Sequence, residues 1–200
     1  MSEEKKSQEG SGLSLKELSL KTRSILLTGE VKQDSPAKIV SQLLLLESAD
    51  AKAPIYLFID SPGGLVDSGL AIYNAVRFVS CPVYTIGLGL VASIAATIFL
   101  AVPLSQRVAL PYTRYLLHQP LGGVQGVVTD IEIHAKEMER TKIQLAQLIS
   151  QATGKDLAEV IQHTDRDYWL SAQEAQDYGL VGQVIESREE LNSLVANIKA

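Results

Sequence analysis

The sequence is short of cysteine, of basic charge and of any apolar run near its start, and each shortage argues against a class of function. Cys81 is the only cysteine among 200 residues, so the chain forms no internal disulfide and no zinc site built from cysteines. Lysine and arginine number 18 against 23 acidic residues, a net charge of −5 that argues against a nucleic-acid groove or a polybasic membrane patch. The first twelve residues lack the apolar core of a secretion signal. We therefore expect a cytoplasmic protein that binds neither nucleic acid nor a membrane.

A long uncharged segment is the most unusual feature that the sequence does contain. Hydrophobic residues make up 46% of a chain long enough for a sizeable core, which excludes a fully disordered or fibrous protein. No charged residue occurs over 78–106, and residues 83–102 are apolar enough to span a bilayer. Gly87 and Gly89 interrupt this run, and Pro82 and Pro103 bound it. A buried strand followed by a buried helix, joined at the glycines, explains the same residues and is the interpretation that we adopt.

Apolar periodicity and breaker residues predict strands that alternate with helices. Strands are predicted at 24–28, 55–59, 83–88 and 114–117, and a further strand ends at 109. Helices are predicted at 34–48, 68–79 and 129–152, and a further helix begins at 93. Ser171 with Glu174, and Ser187 with Glu190, have the capping-box spacing of two later helices. This alternation predicts an α/β fold with a mainly parallel sheet. The helix at 129–152 is apolar around much of its circumference, so either another subunit or the core of its own domain must cover it.

The three histidines differ in their surroundings. His134 lies among charged residues of the long helix, and His163 follows a short amphipathic helix, so we expect both at the surface. His118 instead ends an apolar strand and precedes a glycine-rich loop. Strand ends of parallel α/β sheets face the crevice where ligands bind, which makes His118 a candidate base, with a purely structural role as the alternative.

Ser93 and Asp167 are the candidate partners of that histidine. Ser93 lies between a buried strand and a buried helix, beside the free N–H groups of a helix start that an oxyanion needs. The alternative is that Ser93 only caps the helix, since its surroundings are not the Gly-x-Ser-x-Gly pattern. Asp167 could orient the imidazole or could be a solvated or capping residue. The order Ser, His, Asp differs from that of chymotrypsin, subtilisin and α/β-hydrolases, so this set requires another scaffold.

Several segments together resemble one known family. They are Ser61-Pro62-Gly63-Gly64, the serine segment at 89–96, Leu117-His118-Gln119-Pro120-Leu121-Gly122-Gly123, the helix start at 129–135 and Asp165-Arg166-Asp167. In this order and spacing they resemble the proteolytic subunit of the ATP-dependent Clp protease, a serine peptidase. The resemblance covers about residues 24–186.

The resemblance implies a ClpP/crotonase-like fold of repeated ββα units. It implies a flexible N-terminal arm at 1–23 and a single catalytic domain at 24–200, with a protruding handle at about 122–152. It assigns Ser93 as nucleophile, His118 as general base and acid, and Asp167 as its orienting carboxylate, with the backbone N–H groups of Gly64 and Ile94 as the oxyanion hole. It further implies contacts with the substrate backbone by Gly63, Gly64, Leu65, Gly122, Gly123 and Val124. It also implies contacts between rings by Gln125, Asp165 and Arg166.

The resemblance also implies partners. Family members form two heptameric rings, a tetradecamer that is homomeric or contains a second paralogue. An AAA+ Clp ATPase delivers unfolded polypeptides and uses the ATP, so this chain itself needs neither cofactor nor metal.

Some positions depart from the family pattern. The segment before Ser24 lacks the usual Tyr-Asp-Ile-Tyr-Ser-like stretch. In the family this region contributes to contacts with the ATPase, so the departure affects the expected docking. Val91 and Ile94 replace the usual alanine and methionine beside the nucleophile, and 102–105 replaces a glycine- and lysine-bearing turn. These departures predict a divergent paralogue. Two alternatives are a structural or regulatory ring subunit whose own site is idle, and a crotonase-like acyl-CoA enzyme, which would leave the Ser-His-Asp set unexplained.

Overall fold

A computed structural model describes residues 15–199. Its helices are α1 (Leu15–Thr22), α2 (Ser35–Ala49), α3 (Val66–Phe78), α4 (Ile94–Phe99), α5 (Val128–Thr153), α6 (Leu157–Thr164), α7 (Ala172–Tyr178) and α8 (Arg188–Lys199). Its strands are β1 (Ser24–Thr28), β2 (Ile55–Ser61), β3 (Val83–Ala92), β4 (Arg107–Ala109), β5 (Arg114–Leu117), β6 (Tyr168–Ser171) and β7 (Gln183–Val184). The predicted strands and helices are therefore present, with ends that differ by a few residues.

The strands form one mixed sheet with β3 at its centre. The path β1-β2-β3-β4-β7 is parallel throughout, while β5 pairs with β3 in parallel and with β6 in antiparallel. Strand β3 changes partner along its length, since residues 85–87 pair with β4 and residues 90–92 pair with β5. The α/β class with a mainly parallel sheet is thus confirmed.

The glycines of the uncharged segment do not form the joint between strand and helix, so that prediction was wrong. Strand β3 continues through Gly87 and Gly89 to Ala92, and helix α4 begins only after Ser93. A Cβ on Gly87 would lie 2.6 Å from the Tyr115 hydroxyl oxygen, so this glycine allows a close approach at the point where β3 changes partner. The glycines permit an irregular strand rather than ending it.

Burial explains the lack of charge in this segment. Every residue of α4 is buried, and so are residues 83–87 of β3. Within residues 15–199, no helix is long and apolar enough to cross a membrane. A buried strand followed by a buried helix accounts for the apolar run.

The long helix α5 divides into two halves with different surroundings. Its C-terminal half buries Leu145, Ala146 and Ile149 in the core, and Gly154 ends the helix in the left-handed conformation. Its N-terminal half leaves Ile133 54% exposed in the single chain. Core packing by the same domain therefore covers only the second half.

Two other parts of the chain differ from or extend the predictions. Helix α1 lies inside the predicted arm at 1–23 and was not anticipated, whereas residues 1–14 of that arm lie outside the described residues. Ser171 and Glu174 form the predicted capping box at the start of α7. Ser187 likewise exchanges hydrogen bonds with Glu190 in the first turn of α8.

Arg107 holds together the ends of two helices. Its buried guanidinium donates to the carbonyl oxygens of Val102 (2.8 Å), Ala152 (2.8 Å) and Gly179 (3.3 Å). Burial lowers the pKa of Arg107 to about 10, which still leaves the group charged at neutral pH. The C-terminal carbonyls of α5 and α7 thus have a charged donor in place of water.

Candidate active site

Ser93 occupies a strained turn between β3 and α4. Its backbone has φ 57° and ψ −129°, and among residues 15–199 only Arg23 is another non-glycine residue with positive φ. Its N–H donates to the Leu116 carbonyl oxygen of β5 (2.9 Å), which ties the turn to the neighbouring strand. The side chain of Ser93 does not cap the helix, so the capping alternative fails. Strain of this kind costs of order 1–3 kcal/mol and typically marks a functional position.

Two glycines lie directly against this turn. Gly63 has φ +92°, and a Cβ on it would lie 2.7 Å from the Ser93 Cβ and 3.2 Å from the Ile94 nitrogen. Gly64 has φ +148°, and a Cβ there would lie 2.3 Å from the Val31 carbonyl oxygen. Both positions therefore require glycine, because any side chain would displace the serine turn or the loop at Val31.

The backbone N–H groups of Gly64 and Ile94 remain available. Val31 accepts from the Leu65 N–H (2.8 Å) and donates to the Gly63 carbonyl oxygen (2.7 Å), a pattern that leaves out the N–H of Gly64. The N–H of Ile94, the first residue of α4, also donates to none of the described residues. Two free donors thus lie next to the Ser93 side chain, as the stabilisation of an oxyanion requires.

Strand pairing brings His118 and Asp167 together. In the antiparallel β5–β6 pair Leu117 is opposite Tyr168, so the next residues outward, His118 and Asp167, are opposite each other as well. His118 Nδ1 lies 3.2 Å from Asp167 Oδ1. The imidazole is 14% exposed and the carboxylate 62% exposed. This contact orients the other ring nitrogen, Nε2, away from Asp167.

Gln119 holds the turn that carries Asp167, a role that the sequence analysis did not identify. Its N–H donates to the Thr164 carbonyl oxygen (2.7 Å), and its side-chain amide donates to the Asp165 carbonyl oxygen (2.8 Å). These bonds tie the residues before Asp167 to the residue after His118. The position of Gln119 directly after the histidine was the only signal for this role in the sequence.

Ser93 and His118 line one cavity of about 220 Å³. Its other lining residues are mainly apolar: Pro62, Gly64, Val66, Ile94, Thr97, Leu117, Pro120, Leu121, Leu145 and Ile149. The Ser93 hydroxyl makes no hydrogen bond to His118 or to any other part of the described chain. Within residues 15–199, no group of three or more His, Cys, Asp or Glu side chains is placed to hold a metal ion. The arrangement suits a nucleophilic serine with a histidine base.

The remaining predicted positions lie at the surface. Asp165 and Arg166, the two residues directly before Asp167, are exposed, and Arg166 Nε lies 3.9 Å from Asp165 Oδ2. The predicted contact positions Gly122, Gly123, Val124 and Gln125 lie in the irregular segment between β5 and α5, where all but the half-buried Val124 are exposed. Leu65, on the other side of the cavity, is 53% exposed.

The two other histidines have different outcomes. His134 is exposed on α5, as predicted. His163 was predicted to lie at the surface, but its ring is half-buried and stacks on Tyr168 at 4.6 Å, with Nδ1 3.1 Å from the Tyr178 hydroxyl. The prediction was wrong because β6 and α7, which follow later in the chain, fold over this residue.

Comparison with known proteins identifies the family. The model of the Clp protease family matches residues 7–188. The chain is 48% identical to ATP-dependent Clp protease proteolytic subunit 2 of Treponema denticola over 189 residues, 94% of each chain. It is 44% identical to proteolytic subunit 3 of Rhizobium meliloti, over 94% of this chain and 96% of the relative. A solved mutant of ClpP1 from Listeria monocytogenes superposes with a TM-score of 0.83 at 42% identity, covering 89% of this chain and 99% of that one. With the serine, histidine and glycine geometry described above, these similarities show that the chain belongs to the Clp protease family of serine peptidases.

Proposed function

We propose that Ser93, His118 and Asp167 form the catalytic triad of this peptidase subunit. The observation that carries the proposal is the geometry of the site: a strained Ser93 and His118 line the same cavity, beside two free backbone N–H groups, and His118 Nδ1 contacts Asp167. The three residues come from separate parts of the chain. The fold brings Ser93 and His118 to one cavity and Asp167 against His118, which favours a shared chemical role.

Peptide hydrolysis follows from this arrangement in two stages. The Ser93 oxygen attacks the carbonyl carbon of the scissile bond while His118 Nε2 accepts the serine proton. The N–H groups of Gly64 and Ile94 stabilise the oxyanion, the carbon–nitrogen bond breaks, and His118 gives its proton to the leaving amine. Water then attacks the acyl-enzyme with His118 again as base, which releases the carboxylate product and restores Ser93. Asp167 keeps the imidazole in the required tautomer throughout.

The substrate backbone lies between two exposed segments in this proposal. The segment Gly63, Gly64 and Leu65 is paired with Val31 on one edge only, and the segment Gly122, Gly123 and Val124 follows the residues that line the cavity. An extended polypeptide bound through its backbone would add a strand at this edge. Such binding predicts broad acceptance of unfolded sequences.

Assembly into stacked rings explains the exposed half of α5. Ile131, Ile133 and Met138 are all more than a third exposed on this helix, which favours a partner surface from the handle of another ring. Gln125, Asp165 and Arg166 are the proposed polar contacts of that interface. We further propose a cytoplasmic tetradecamer that receives polypeptides from an AAA+ Clp ATPase. The relatives named subunits 2 and 3 support a second paralogue in the barrel.

A second candidate function is a structural ring subunit whose own site is idle. The missing hydrogen bond between the Ser93 hydroxyl and His118 in the single chain favours it. The two functions predict different results when the purified protein is assayed for cleavage of a short fluorogenic peptide, with the Ser93→Ala variant as control. Cleavage that disappears in the variant supports the peptidase. Cleavage by neither protein, alone or mixed with a paralogue whose own serine is replaced by alanine, supports the idle subunit.

A further inference from the structure

Thr97 presents an unpaired hydroxyl to the cavity beside Ser93. It lies one helical turn after Ser93 on α4 and is 3% exposed, and that small exposure faces the cavity that it lines. Its hydroxyl makes no hydrogen bond to the described part of the chain. Thr85 and Thr113, which are buried as deeply, donate to the carbonyl oxygens of Phe99 (2.9 Å) and Gly87 (2.8 Å). Among the described residues the Tyr115 hydroxyl is the fully buried side-chain polar group without a partner, so the Thr97 hydroxyl is accessible from the cavity rather than enclosed in the core.

The rest of the cavity offers a substrate side chain mostly apolar contacts. Val66, Ile94, Leu117, Leu145 and Ile149 supply much of the lining. The other polar side chains there, Ser93 and His118, are occupied by the reaction in the proposed mechanism. The Thr97 hydroxyl is thus the polar side-chain group left for recognition, and no charged carboxylate, lysine or arginine side chain lines the cavity.

The position of the cavity determines which substrate residue enters it. The residue whose carbonyl carbon is attacked by Ser93, the P1 residue, has its side chain next to the nucleophile. A volume of about 220 Å³ accommodates an unbranched side chain of medium length. A purely apolar P1 side chain would expel water and leave the Thr97 hydroxyl unpaired, which carries a desolvation cost. A side chain with a neutral hydrogen-bonding end would pair with it.

We propose that Thr97 is a specificity-determining residue whose hydroxyl improves cleavage after glutamine-like P1 side chains relative to apolar ones of similar length. The inference rests on the proposed function, since it requires Ser93 to attack a peptide carbonyl. A neutral amide both donates and accepts hydrogen bonds, so it can match the hydroxyl in either orientation. Specificity based on a buried polar group is a general means of discrimination between side chains of similar size.

The test compares two fluorogenic peptides that differ only at P1, glutamine in one and norleucine in the other. The assembled protein is assayed with each peptide, as the wild type and as Thr97→Val, which keeps the shape of the side chain but removes the hydroxyl. We expect the ratio of kcat/KM for glutamine to that for norleucine to fall about tenfold in Thr97→Val. Thr97→Ser retains the hydroxyl and should keep the wild-type preference.

Two results would overturn the inference, and they are distinguishable. Equal ratios in the wild type and Thr97→Val, with cleavage that depends on Ser93, would remove Thr97 from specificity while leaving the proposed function intact. Absence of Ser93-dependent cleavage of both peptides, alone and in a mixed barrel, would overturn the proposed function and this inference with it. Light scattering on each variant establishes that the assembly is intact.

Discussion

Replacement of Gly63 by alanine tests whether close backbone packing positions the nucleophile. The new Cβ would lie 2.7 Å from the Ser93 Cβ, 2.8 Å from the Ala92 carbonyl oxygen and 3.2 Å from the Ile94 nitrogen. Carbon atoms that are not bonded are normally about 3.5–4.0 Å apart. The serine turn must therefore move by roughly 1 Å, away from His118 or towards it.

The structure sets the size of the expected effect. The left-handed backbone of Gly63, φ +92°, costs a residue with a Cβ about 1–2 kcal/mol. Overpacking against the serine turn adds about 1–3 kcal/mol. A displacement of about 1 Å at a reacting group lowers kcat/KM by about 100-fold. We thus expect Gly63→Ala to lower both the free energy of unfolding and the peptidase rate.

Gly29 provides the matched control, because it separates backbone strain from steric overlap. It has φ +72°, but a Cβ there would have no atom within 4 Å. Gly29→Ala should lower the free energy of unfolding by about 1–2 kcal/mol and leave peptidase activity unchanged. The measurements are denaturant unfolding, peptide cleavage and the rate of Ser93 labelling by a fluorophosphonate. Wild-type cleavage and labelling in Gly63→Ala would refute the argument that Gly63 positions the nucleophile.

Three further predictions concern the triad and the scaffold. Asp167→Asn should lower kcat by about 10⁴-fold by analogy with other triads, without loss of the assembly, and wild-type kcat would exclude Asp167 from the mechanism. Arg107→Met should lower the free energy of unfolding by about 3 kcal/mol in denaturant titrations, because three carbonyl oxygens lose their donor; an unchanged midpoint would contradict this. Ser171→Ala should lower the free energy of unfolding by about 1 kcal/mol in denaturant titrations, because helix α7 loses its N-terminal cap. An unchanged free energy of unfolding would contradict this.

Local patterns in the sequence were sufficient for much of the fold. Strand β1 and strand β5 were predicted at their observed bounds, since short apolar runs between breakers depend on neighbours along the chain. The Ser171–Glu174 capping box was predicted because all its groups lie within four consecutive residues. Helix α1 was missed because it has only eight residues and lies in the segment that was interpreted as a flexible arm.

The identities of the candidate site residues came from a combination of local pattern and family resemblance. Ser93 was recognised as a residue between a buried strand and a buried helix, and His118 as the residue that follows a strand. Asp167 had no local signal beyond a charged turn, and its role came from the resemblance. Neither approach revealed the positive φ of Ser93, because the strain depends on how β3 and α4 are joined in space.

Other features were decided only by the tertiary structure. His118 and Asp167 are 49 positions apart in the chain, and only the β5–β6 register places them opposite each other. Gly63 meets Ser93 because β2 and β3 are neighbours in the sheet. Sequence alone determined most of the strands and helices, although not α1, β6 or β7, and it determined which residue types are available for chemistry, because these depend on short-range periodicity and on composition. Distances, burial and unpaired groups, such as the hydroxyl of Thr97, depend on contacts between distant segments and exist only once the chain is folded.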